Sequence, residues 1–236
     1  MFHLSVIVPV FNEEGTVLFT LNKLFQQKDV FQIVIVDDGS TDKSTALITN
    51  FLRKKIQKNP SLSKKIIFLR QKNKGKGSAI QTGLKKVTGN FVLIQDADCE
   101  YDPEEISNLV APIKKGRVNV VYGSRFMGAH LNLLFWNRVA NSILNFLVNI
   151  LFNTTISDME TCYKVIPTEI LRSLKIRSKG FDIEPEITCK LLKKGQKIFE
   201  VPITYVGRDF SEGKKISWQD GFSAVKIIFL EKFFLS

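Results

Sequence analysis

The segment that decides the fold is residues 90–98, which read Asn-Phe-Val-Leu-Ile-Gln-Asp-Ala-Asp. A short apolar run ends there at Asp96 and Asp98, so a buried strand would place both carboxylates at the carboxyl edge of a sheet. Side chains two residues apart on an extended backbone point the same way. The pair could therefore share one Mg²⁺ or Mn²⁺ ion, since both metals prefer oxygen ligands. Taken alone, the segment is also typical of a solvated turn whose carboxylates cap the next helix.

Strands and helices alternate on both sides of this segment. We predict strands at residues 4–9, 31–36, 64–69, 90–95 and 118–122, and helices at about 13–27, from 41 or 42 to about 57, 76–87 and 103–115. This alternation predicts an α/β fold with a Rossmann-like, doubly wound, mostly parallel sheet. No internal repeat or flexible linker interrupts the pattern, so we expect one domain over residues 1–236.

The second half of the chain carries two amphipathic segments, near residues 131–152 and 222–235. On a helix, the polar residues of the first segment recur every three or four positions and form one narrow stripe. These residues are Asn137, Arg138, Asn141, Ser142, Asn145 and Asn149. With Asn132, the segment 131–152 contains five asparagines and one arginine, which make a membrane span costly. We therefore expect a helix lying in the membrane interface. Burial inside the domain or against a partner subunit is the alternative, and the asparagines would then need hydrogen-bond partners.

The composition limits the classes of partner and site. A net charge of +11, from 34 basic and 23 acidic residues, indicates an anionic partner such as nucleic acid, a phosphorylated substrate or an anionic membrane. Three widely spaced cysteines form neither a zinc spacing nor a disulfide framework, and free thiols fit the cytoplasm. Two histidines leave little room for a histidine-based metal site or triad. The amino terminus enters a strand at once, so we expect no secretory signal.

Two further acidic segments follow the first and second predicted strands. They are Asn12-Glu13-Glu14 and Asp37-Asp38-Gly39-Ser40, and the parallel sheet would bring both to the edge that carries Asp96 and Asp98. Three acidic strand ends would repel each other unless a cation or a hydrogen-bond donor binds there. A nucleoside diphosphate with its metal supplies both. Three independent helix caps are the alternative interpretation.

Six segments together resemble glycosyltransferase family 2, whose members have the GT-A fold. The closest likeness is to the dolichyl- or polyprenyl-phosphate mannose and glucose synthases. The segments are Val-Ile-Val-Pro-Val-Phe-Asn-Glu-Glu at 6–14, Val-Asp-Asp-Gly-Ser-Thr-Asp at 36–42, Asn-Lys-Gly-Lys-Gly-Ser-Ala at 73–79, Asp-Ala-Asp at 96–98, Tyr-Gly-Ser-Arg-Phe at 122–126 and Asp-Met-Glu-Thr-Cys-Tyr-Lys at 158–164. The resemblance implies a nucleotide-sugar-binding half over residues 1–125 and an acceptor-binding half over 126–236.

The resemblance also implies roles on the donor side. Asp96 and Asp98 match the pair that binds the metal and the diphosphate, and Glu100 stands where the lipid-phosphate synthases commonly have a glutamine that contacts the metal. The residues that would hold the base and ribose are Pro9, Phe11, Glu13, Asp37 and Asp38. Lys76 lies in a tight Gly-Lys-Gly turn near the nucleotide, although the turn matches neither a P-loop nor a dinucleotide-binding fingerprint.

On the acceptor side, the resemblance implies that Arg125, Arg138 and Ser142 bind the acceptor phosphate, for which arginine is well suited. A carboxylate in the region of Asp158 and Glu160 often acts as the base in inverting transferases of this fold. A phosphate acceptor weakens that need, because it is already ionised at neutral pH. Asp158 could then shape the pocket, bind sugar hydroxyls or cap a helix or turn. In the late loop, Arg208 and Lys214 could close over the leaving diphosphate.

We therefore expect an inverting, metal-dependent transfer of a hexose from GDP-mannose or UDP-glucose to a polyprenyl phosphate. The catalytic residues would be Asp98, Asp158 and Arg125, and the enzyme would lie peripherally on the cytoplasmic face of the membrane, alone or with a membrane-embedded partner subunit. A transferase that uses a hydroxyl acceptor is the nearest alternative. A nucleotidyltransferase and a nucleic-acid-binding module are more distant ones, and no helix-turn-helix or aromatic-basic pattern supports a nucleic-acid partner.

Overall fold

The computed structural model describes residues 1–208 and 218–234. Its strands are β1 (Leu4–Val10), β2 (Val30–Asp37), β3 (Ile66–Arg70), β4 (Phe91–Ile94), β5 (Val120–Ser124), β6 (His130–Leu131), β7 (Lys164–Pro167), β8 (Ile198–Pro202) and β9 (Tyr205–Val206). Its α-helices are α1 (Val17–Leu24), α2 (Ser44–Lys58), α3 (Lys76–Leu84), α4 (Ile106–Lys114), α5 (Phe135–Phe152), α6 (Thr168–Ser173), α7 (Ile183–Lys193) and α8 (Trp218–Phe233). Short 3₁₀ helices precede β3 at Pro60–Lys64 and α4 at Pro103–Glu105.

Seven strands form one sheet in the order β3-β2-β1-β4-β7-β5-β8. All neighbouring pairs are parallel except those of β7, which runs antiparallel to both β4 and β5. The predicted α/β class with a mostly parallel sheet is confirmed. Strands β6 and β9 form a separate two-stranded parallel ladder. Because β1, β2, β4 and β5 share one direction, their carboxyl ends meet at one edge, which we call the active edge.

Strand β7 was not predicted from the sequence, and it changes the neighbourhood of the active edge. It inserts between β4 and β5, pairing Leu93 with Val165 on one side and Val121 with Val165 on the other. Since β7 is antiparallel, its first residue lies at the edge where β4 and β5 end. Residues 158–163, which lead into β7, therefore lie between the segments that follow β4 and β5.

The two faces of the sheet are covered by helices, as the buried strands require. Val6 and Val8 of β1 pack into one apolar cluster with Leu21 of α1, whereas Ile7 packs on the opposite face with Ile80 of α3. A methyl group placed on Gly83 of α3 would come within 2.7 Å of Ile7, so this helix packs directly on the sheet. A third cluster joins α5, α7 and α8.

Helix α5 confirms the predicted helix but directs its polar stripe inward at one end. Asn145 donates to the Ser157 carbonyl at 2.5 Å and accepts from the Met159 amide at 2.9 Å. One turn later, Asn149 exchanges two hydrogen bonds with the backbone of Ile156. These amides supply the partners that burial demands. The opposite surface is apolar and more than half exposed, at Phe135, Trp136, Ile143, Phe146 and Ile150.

Within the described residues, we find no helix both long and apolar enough to cross a bilayer. Helix α8 packs against α7 and α5 through Ala224 and Ile228. Its outer side exposes Phe222, Phe229 and Phe233, at 70%, 41% and 59%. We call the exposed aromatic and aliphatic side chains of α5 and α8 the apolar surface.

Candidate active site

At the active edge, three carboxylates lie around one guanidinium group. Arg208 Nη1 lies 3.1 Å from Glu13 Oε2, and Arg208 Nη2 lies 3.1 Å from Asp98 Oδ2. The backbone amide of Arg208 donates to Glu100 Oε1 at 2.9 Å. Asp96, two residues before Asp98, is paired with Lys76 instead. One arginine therefore faces several acidic groups, and its single charge cannot neutralise all of them.

The excess of negative charge appears in the protonation of Asp98. Burial raises the pKa of this carboxyl to about 7, with the Asp96 and Glu100 carboxylates adding to the rise and Arg208 opposing it. An Asp98 proton is thus held near neutral pH, first because the carboxyl is buried and second because the Asp96 and Glu100 carboxylates lie near it. A divalent cation would supply positive charge and displace the proton.

Asp96 is held by a chain of buried ion pairs that the sequence did not predict. Lys76 Nζ lies 2.8 Å from Asp96 Oδ2 and 3.3 Å from Glu184 Oε1 at the start of α7. Glu184 Oε2 in turn lies 2.5 Å from Lys164 Nζ. Burial alone would lower the pKa of Lys76, but Asp96 and Glu184 outweigh it and hold the pKa well above its ordinary value. Lys76 is therefore a fixed cation beside Asp96, and its contact with a nucleotide stays a prediction.

Glu100 is engaged by protein groups rather than directed toward Asp96 and Asp98. Its Oε2 accepts from the Tyr205 hydroxyl at 2.7 Å, and its Oε1 accepts from the Arg208 amide. In the part of the chain that the structure describes, no three acidic, histidine or cysteine side chains converge as a metal site. Asp96, Asp98 and Glu100 therefore do not converge as the predicted three-carboxylate metal site. Glu100 instead binds Tyr205 of β9 and the backbone amide of Arg208. Mg²⁺ commonly needs only one or two carboxylates when substrate phosphates complete its shell.

The predicted base and ribose residues lie at the ends of β1 and β2. Asp37 Oδ1 accepts from the Ser40 amide at 2.9 Å, and its other oxygen binds the Thr45 hydroxyl. Asp38 accepts from the Gln71 side chain and from the amides of residues 74 and 75 at 2.7–3.0 Å. Both carboxylates are buried and shape the loops around them. Asp38 Oδ1 already accepts two hydrogen bonds, whereas Asp37 Oδ1 and Asp38 Oδ2 accept one each and can take a second. Contact with a nucleotide stays a prediction.

Two other predicted donor residues, Pro9 and Phe11, are half-buried at the end of β1 and just after it. Gly75, which precedes Lys76, has a φ of +97°, and a methyl group there would lie 2.4 Å from the Lys179 carbonyl. Only glycine fits this close approach, so the turn that presents Lys76 depends on it. Lys214 lies outside the described residues.

Arg125 and Asp158 form a closed ion pair at the end of β5. Arg125 Nε and Nη2 donate to the two oxygens of Asp158 at 2.8 and 2.7 Å, and the Arg125 amide donates to Oδ2 at 2.9 Å. Asp158 is fully buried and Arg125 is 7% exposed. Burial alone would lower the pKa of Arg125, but Asp158 holds it well above the ordinary value. In this arrangement Asp158 is not free to act as a base, and it instead orients Arg125.

The structure brings the predicted acceptor residues together around Phe126. The guanidinium carbons of Arg125 and Arg138 lie 5.6 and 5.4 Å from the centre of this ring, within the range of cation–π contact. The Ser142 hydroxyl donates to the Arg138 carbonyl one turn away. Arg138 and Ser142 are exposed and line a groove with a volume of about 360 Å³, whose other walls are Phe135, Val139, Ile143 and Phe146.

Sequence reasoning missed the supporting residues Glu184, Lys164 and Tyr205. Glu184 stands alone in a segment with no motif, and Tyr205 begins the late loop that carries Arg208. The contacts of both residues join positions far apart in the chain. The signal that could have identified Lys164 is its position at the end of the Asp-Met-Glu-Thr-Cys-Tyr-Lys block. A lysine that enters a fully buried strand requires a partner, and Glu184 supplies it.

Comparison with known proteins gives a family and a fold. Residues 5–175 match the family model described as glycosyl transferase family 2. The low-salt glycan biosynthesis hexosyltransferase Agl6 of Haloferax volcanii is 26% identical over 231 residues, covering 95% of this chain and 52% of that protein. The chain therefore spans about half the length of Agl6. An uncharacterised protein of Methanocaldococcus jannaschii is 28% identical over 95% of this chain and 99% of its own length.

Two solved structures illustrate the fold. Glucosyl-3-phosphoglycerate synthase from Mycobacterium tuberculosis, in complex with Mn²⁺, UDP and glucosyl-3-phosphoglycerate, superimposes with a TM-score of 0.74 at 17% identity, over 98% of this chain and 80% of that one. TarS from S. aureus, residues 1–349 in complex with UDP-GlcNAc, gives a TM-score of 0.64 at 20% identity, over 97% and 66%. Both have the α/β architecture described above.

Proposed function

Because the chain belongs to glycosyl transferase family 2, we propose that it transfers a hexose from a nucleotide sugar to the phosphate of a polyprenol. The observation that carries the proposal is the arrangement of the active edge. On one side, the charges of neighbouring carboxylates act on Asp98. On the other side, Arg125 and Arg138 lie next to the apolar surface. A diphosphate donor with its metal suits the first side, and a lipid phosphate suits the second.

On the donor side, Asp96 and Asp98 would hold Mg²⁺ or Mn²⁺, because the charges of Asp96 and Glu100 act on Asp98 and would favour a bound cation. When bound, this metal would neutralise the charge that develops on the leaving diphosphate. Pro9, Phe11 and Glu13 would contact the base and ribose together with the Asp37–Asp38 pair. Lys76 is fixed beside Asp96, and Arg208 and Lys214 would add positive charge over the diphosphate. GDP-mannose and UDP-glucose are the donors we propose.

On the acceptor side, Arg125, Arg138 and Ser142 would bind the phosphate of the polyprenol. Its oxygen would form a bond to the anomeric carbon on the face opposite the departing nucleoside diphosphate, which inverts that centre. A phosphate oxygen is already ionised at neutral pH and needs no base to remove a proton. The closed pair of Arg125 and Asp158 supports this reaction, because Asp158 is occupied in orienting the arginine.

The apolar surface would lie in the interface of the cytoplasmic membrane. A wide apolar face opposite a polar stripe, as on α5, suits interfacial binding. A net charge of +11 favours anionic lipid. The groove between Arg138 and Phe146 would take the first isoprene units next to the phosphate. A membrane-embedded partner subunit covering the same surface is the alternative.

The test is transfer itself. The protein is incubated with Mg²⁺ or Mn²⁺, labelled GDP-mannose or UDP-glucose, and polyprenyl phosphate, and the label is then measured in the organic phase. We expect label in lipid and release of GDP or UDP, with loss of transfer when Arg138 is replaced by glutamine. Arg117→Gln is the matched control, because Arg117 is exposed on the loop after α4. No lipid label from any donor, or label only in a water-soluble glycan, would overturn the acceptor assignment.

A flotation assay tests the membrane proposal separately. Vesicles with about 30% anionic lipid should retain the wild-type protein, and Trp136→Ser together with Phe146→Ser should weaken retention by roughly 10-fold or more, from about 1.5–3 kcal/mol per buried large side chain. Equal retention of the double variant would show that another surface binds the lipid.

A further inference from the structure

One carboxylate of the active edge is not used by any of the ion pairs described above. Glu160 lies in the segment that leads into β7, and β7 is placed between β4 and β5. Glu160 therefore stands between Asp96, which follows β4, and Arg125, which follows β5. In the proposed reaction, this is the interval between the leaving diphosphate and the acceptor phosphate.

The residues on both sides of Glu160 are fixed by buried contacts. Before it, Asp158 receives three hydrogen bonds from Arg125. After it, the carbonyl of Thr161 accepts from Lys164, which is also paired with Glu184 and through it with Lys76 and Asp96. The backbone at Glu160 is thus held from the donor side and from the acceptor side at once.

One oxygen of the Glu160 side chain has no hydrogen-bond partner among the residues that the structure describes. The residue is half-buried, and its Oε1 is shielded from solvent without a hydrogen bond. Burial raises the pKa of this carboxyl to about 7, with Lys164 opposing the rise and Glu184 adding to it. Buried oxygens without a hydrogen-bond partner are rare in folded proteins and are costly to leave unpaired. A ligand whose donors complete the site is one explanation for such a group.

We propose that Glu160 accepts hydrogen bonds from hydroxyl groups of the transferred hexose and so contributes to the choice of sugar. The inference rests on the proposed function. In a displacement at the anomeric carbon, the hexose lies between the leaving group and the nucleophile, which is the interval where Glu160 stands. Each carboxylate oxygen accepts up to two hydrogen bonds, and a hexose presents several hydroxyl donors.

The test measures binding rather than turnover, so it does not depend on the acceptor. Calorimetry in the presence of Mg²⁺ compares a nucleoside diphosphate with the corresponding nucleotide hexose, for the wild type and for Glu160→Ala. We expect Glu160→Ala to raise the Kd of the nucleotide hexose by roughly 10- to 100-fold, the effect of losing a hydrogen bond to a charged group. The Kd of the nucleoside diphosphate should not change. Glu160→Gln, which keeps one acceptor oxygen, should fall between.

Donors that each lack one hexose hydroxyl identify the contact. For the donor that lacks the contacted hydroxyl, the Kd of the wild type should rise by about the same factor as the Glu160→Ala substitution causes with the complete donor. With that donor, Glu160→Ala should bind as well as the wild type does. Glu169→Ala is the matched control, because Glu169 is exposed on α6. Thermal melting verifies that each variant is folded.

Three results would overturn the inference. Equal weakening of the diphosphate and the nucleotide hexose would indicate a structural effect, and unchanged binding of both would show that Glu160 does not touch the sugar. Intact sugar binding by Glu160→Gln with complete loss of transfer would assign the carboxyl to proton removal from an acceptor instead. Failure of the wild type to bind any nucleotide would contradict the proposed function itself and is distinguishable from all three.

Discussion

Arg125 and Arg208 both meet carboxylates at the active edge, but their charge balances differ. Arg125 has one buried partner, Asp158, and uses its amide and two guanidinium nitrogens to satisfy it. Arg208 is shared among Glu13, Asp98 and Glu100, with its guanidinium nitrogens 3.1–3.8 Å from their oxygens. The charges of Arg125 and Asp158 balance, whereas the three carboxylates around Arg208 outnumber its single positive charge. The difference separates an ion pair that stabilises the fold from a site that is prepared for a cation.

Breaking the complete pair should have the largest effect. Asp158→Asn leaves Arg125 buried without its countercharge, and we expect a loss of about 3–5 kcal/mol in the free energy of unfolding. Urea denaturation measures it. The double variant Arg125→Met with Asp158→Leu should recover most of that loss, since neither charge then remains buried. A single variant as stable as the wild type would contradict the structural role of the pair.

Changing the incomplete site should affect turnover more than stability. We expect Asp98→Asn to lower kcat/KM for sugar transfer by about 100- to 1,000-fold, because stabilisation of the leaving diphosphate is lost. Its melting temperature should not fall, since the substitution removes one of several mutually repelling charges. Asp29→Asn is the control, because Asp29 forms only a surface pair with Lys114. A variant of Asp98 with near-normal turnover would remove this carboxylate from the donor site.

Replacing Arg208 should change the affinity of the active edge for Mn²⁺, and the direction should depend on whether a nucleotide is bound. Without nucleotide, we expect Arg208→Gln to bind Mn²⁺ about tenfold more tightly than the wild type, because a competing positive charge is gone. With UDP or GDP present, the order should reverse if Arg208 then contacts the diphosphate. Electron paramagnetic resonance of free Mn²⁺ measures both affinities, and Arg117→Gln controls for net charge. Identical Mn²⁺ affinities under both conditions would show that Arg208 does not compete with the metal.

Glu160 provides the smallest predicted effect and a test of pH dependence. The charged groups that face it are Lys164, Glu184, Arg125 and Asp158. Its pKa is raised from about 4.5 to about 7 in the folded state, so the wild type should lose stability as pH rises through that window. We expect Glu160→Gln to be more stable than the wild type by about 1–2 kcal/mol at pH 8 and equal to it near pH 4.5. A difference that does not change with pH would contradict the raised pKa.

The donor side of this comparison was largely predictable from sequence. Buried parallel strands are short apolar runs, and the polar residues that follow them must meet at one edge. That local pattern is enough to predict that Glu13, Asp38, Asp96 and Asp98 lie at the same edge of the sheet. The resemblance to a family added the predicted acceptor residues Arg125 and Arg138. In the structure, both guanidinium groups lie over the Phe126 ring.

The remaining contacts were not predictable, because they join distant parts of the chain. Arg208 lies 195 residues from Glu13, and no local pattern encodes that distance. Strand β7 is only four residues long and follows a loop with no strand signal, so its insertion between β4 and β5 was missed. Helix α5 shows a different limit. Its amphipathic pattern was visible, but periodicity alone does not say which face is turned inward.

The inward direction of the asparagines in α5 affects how the isolated protein should behave. Asn145 and Asn149 anchor the helix to the backbone of residues 156–159, so the helix keeps its place whether or not lipid is present. Among the described residues, nothing covers its aromatic side. We expect purified protein to self-associate through this side as concentration rises, and mild detergent to return it to single copies.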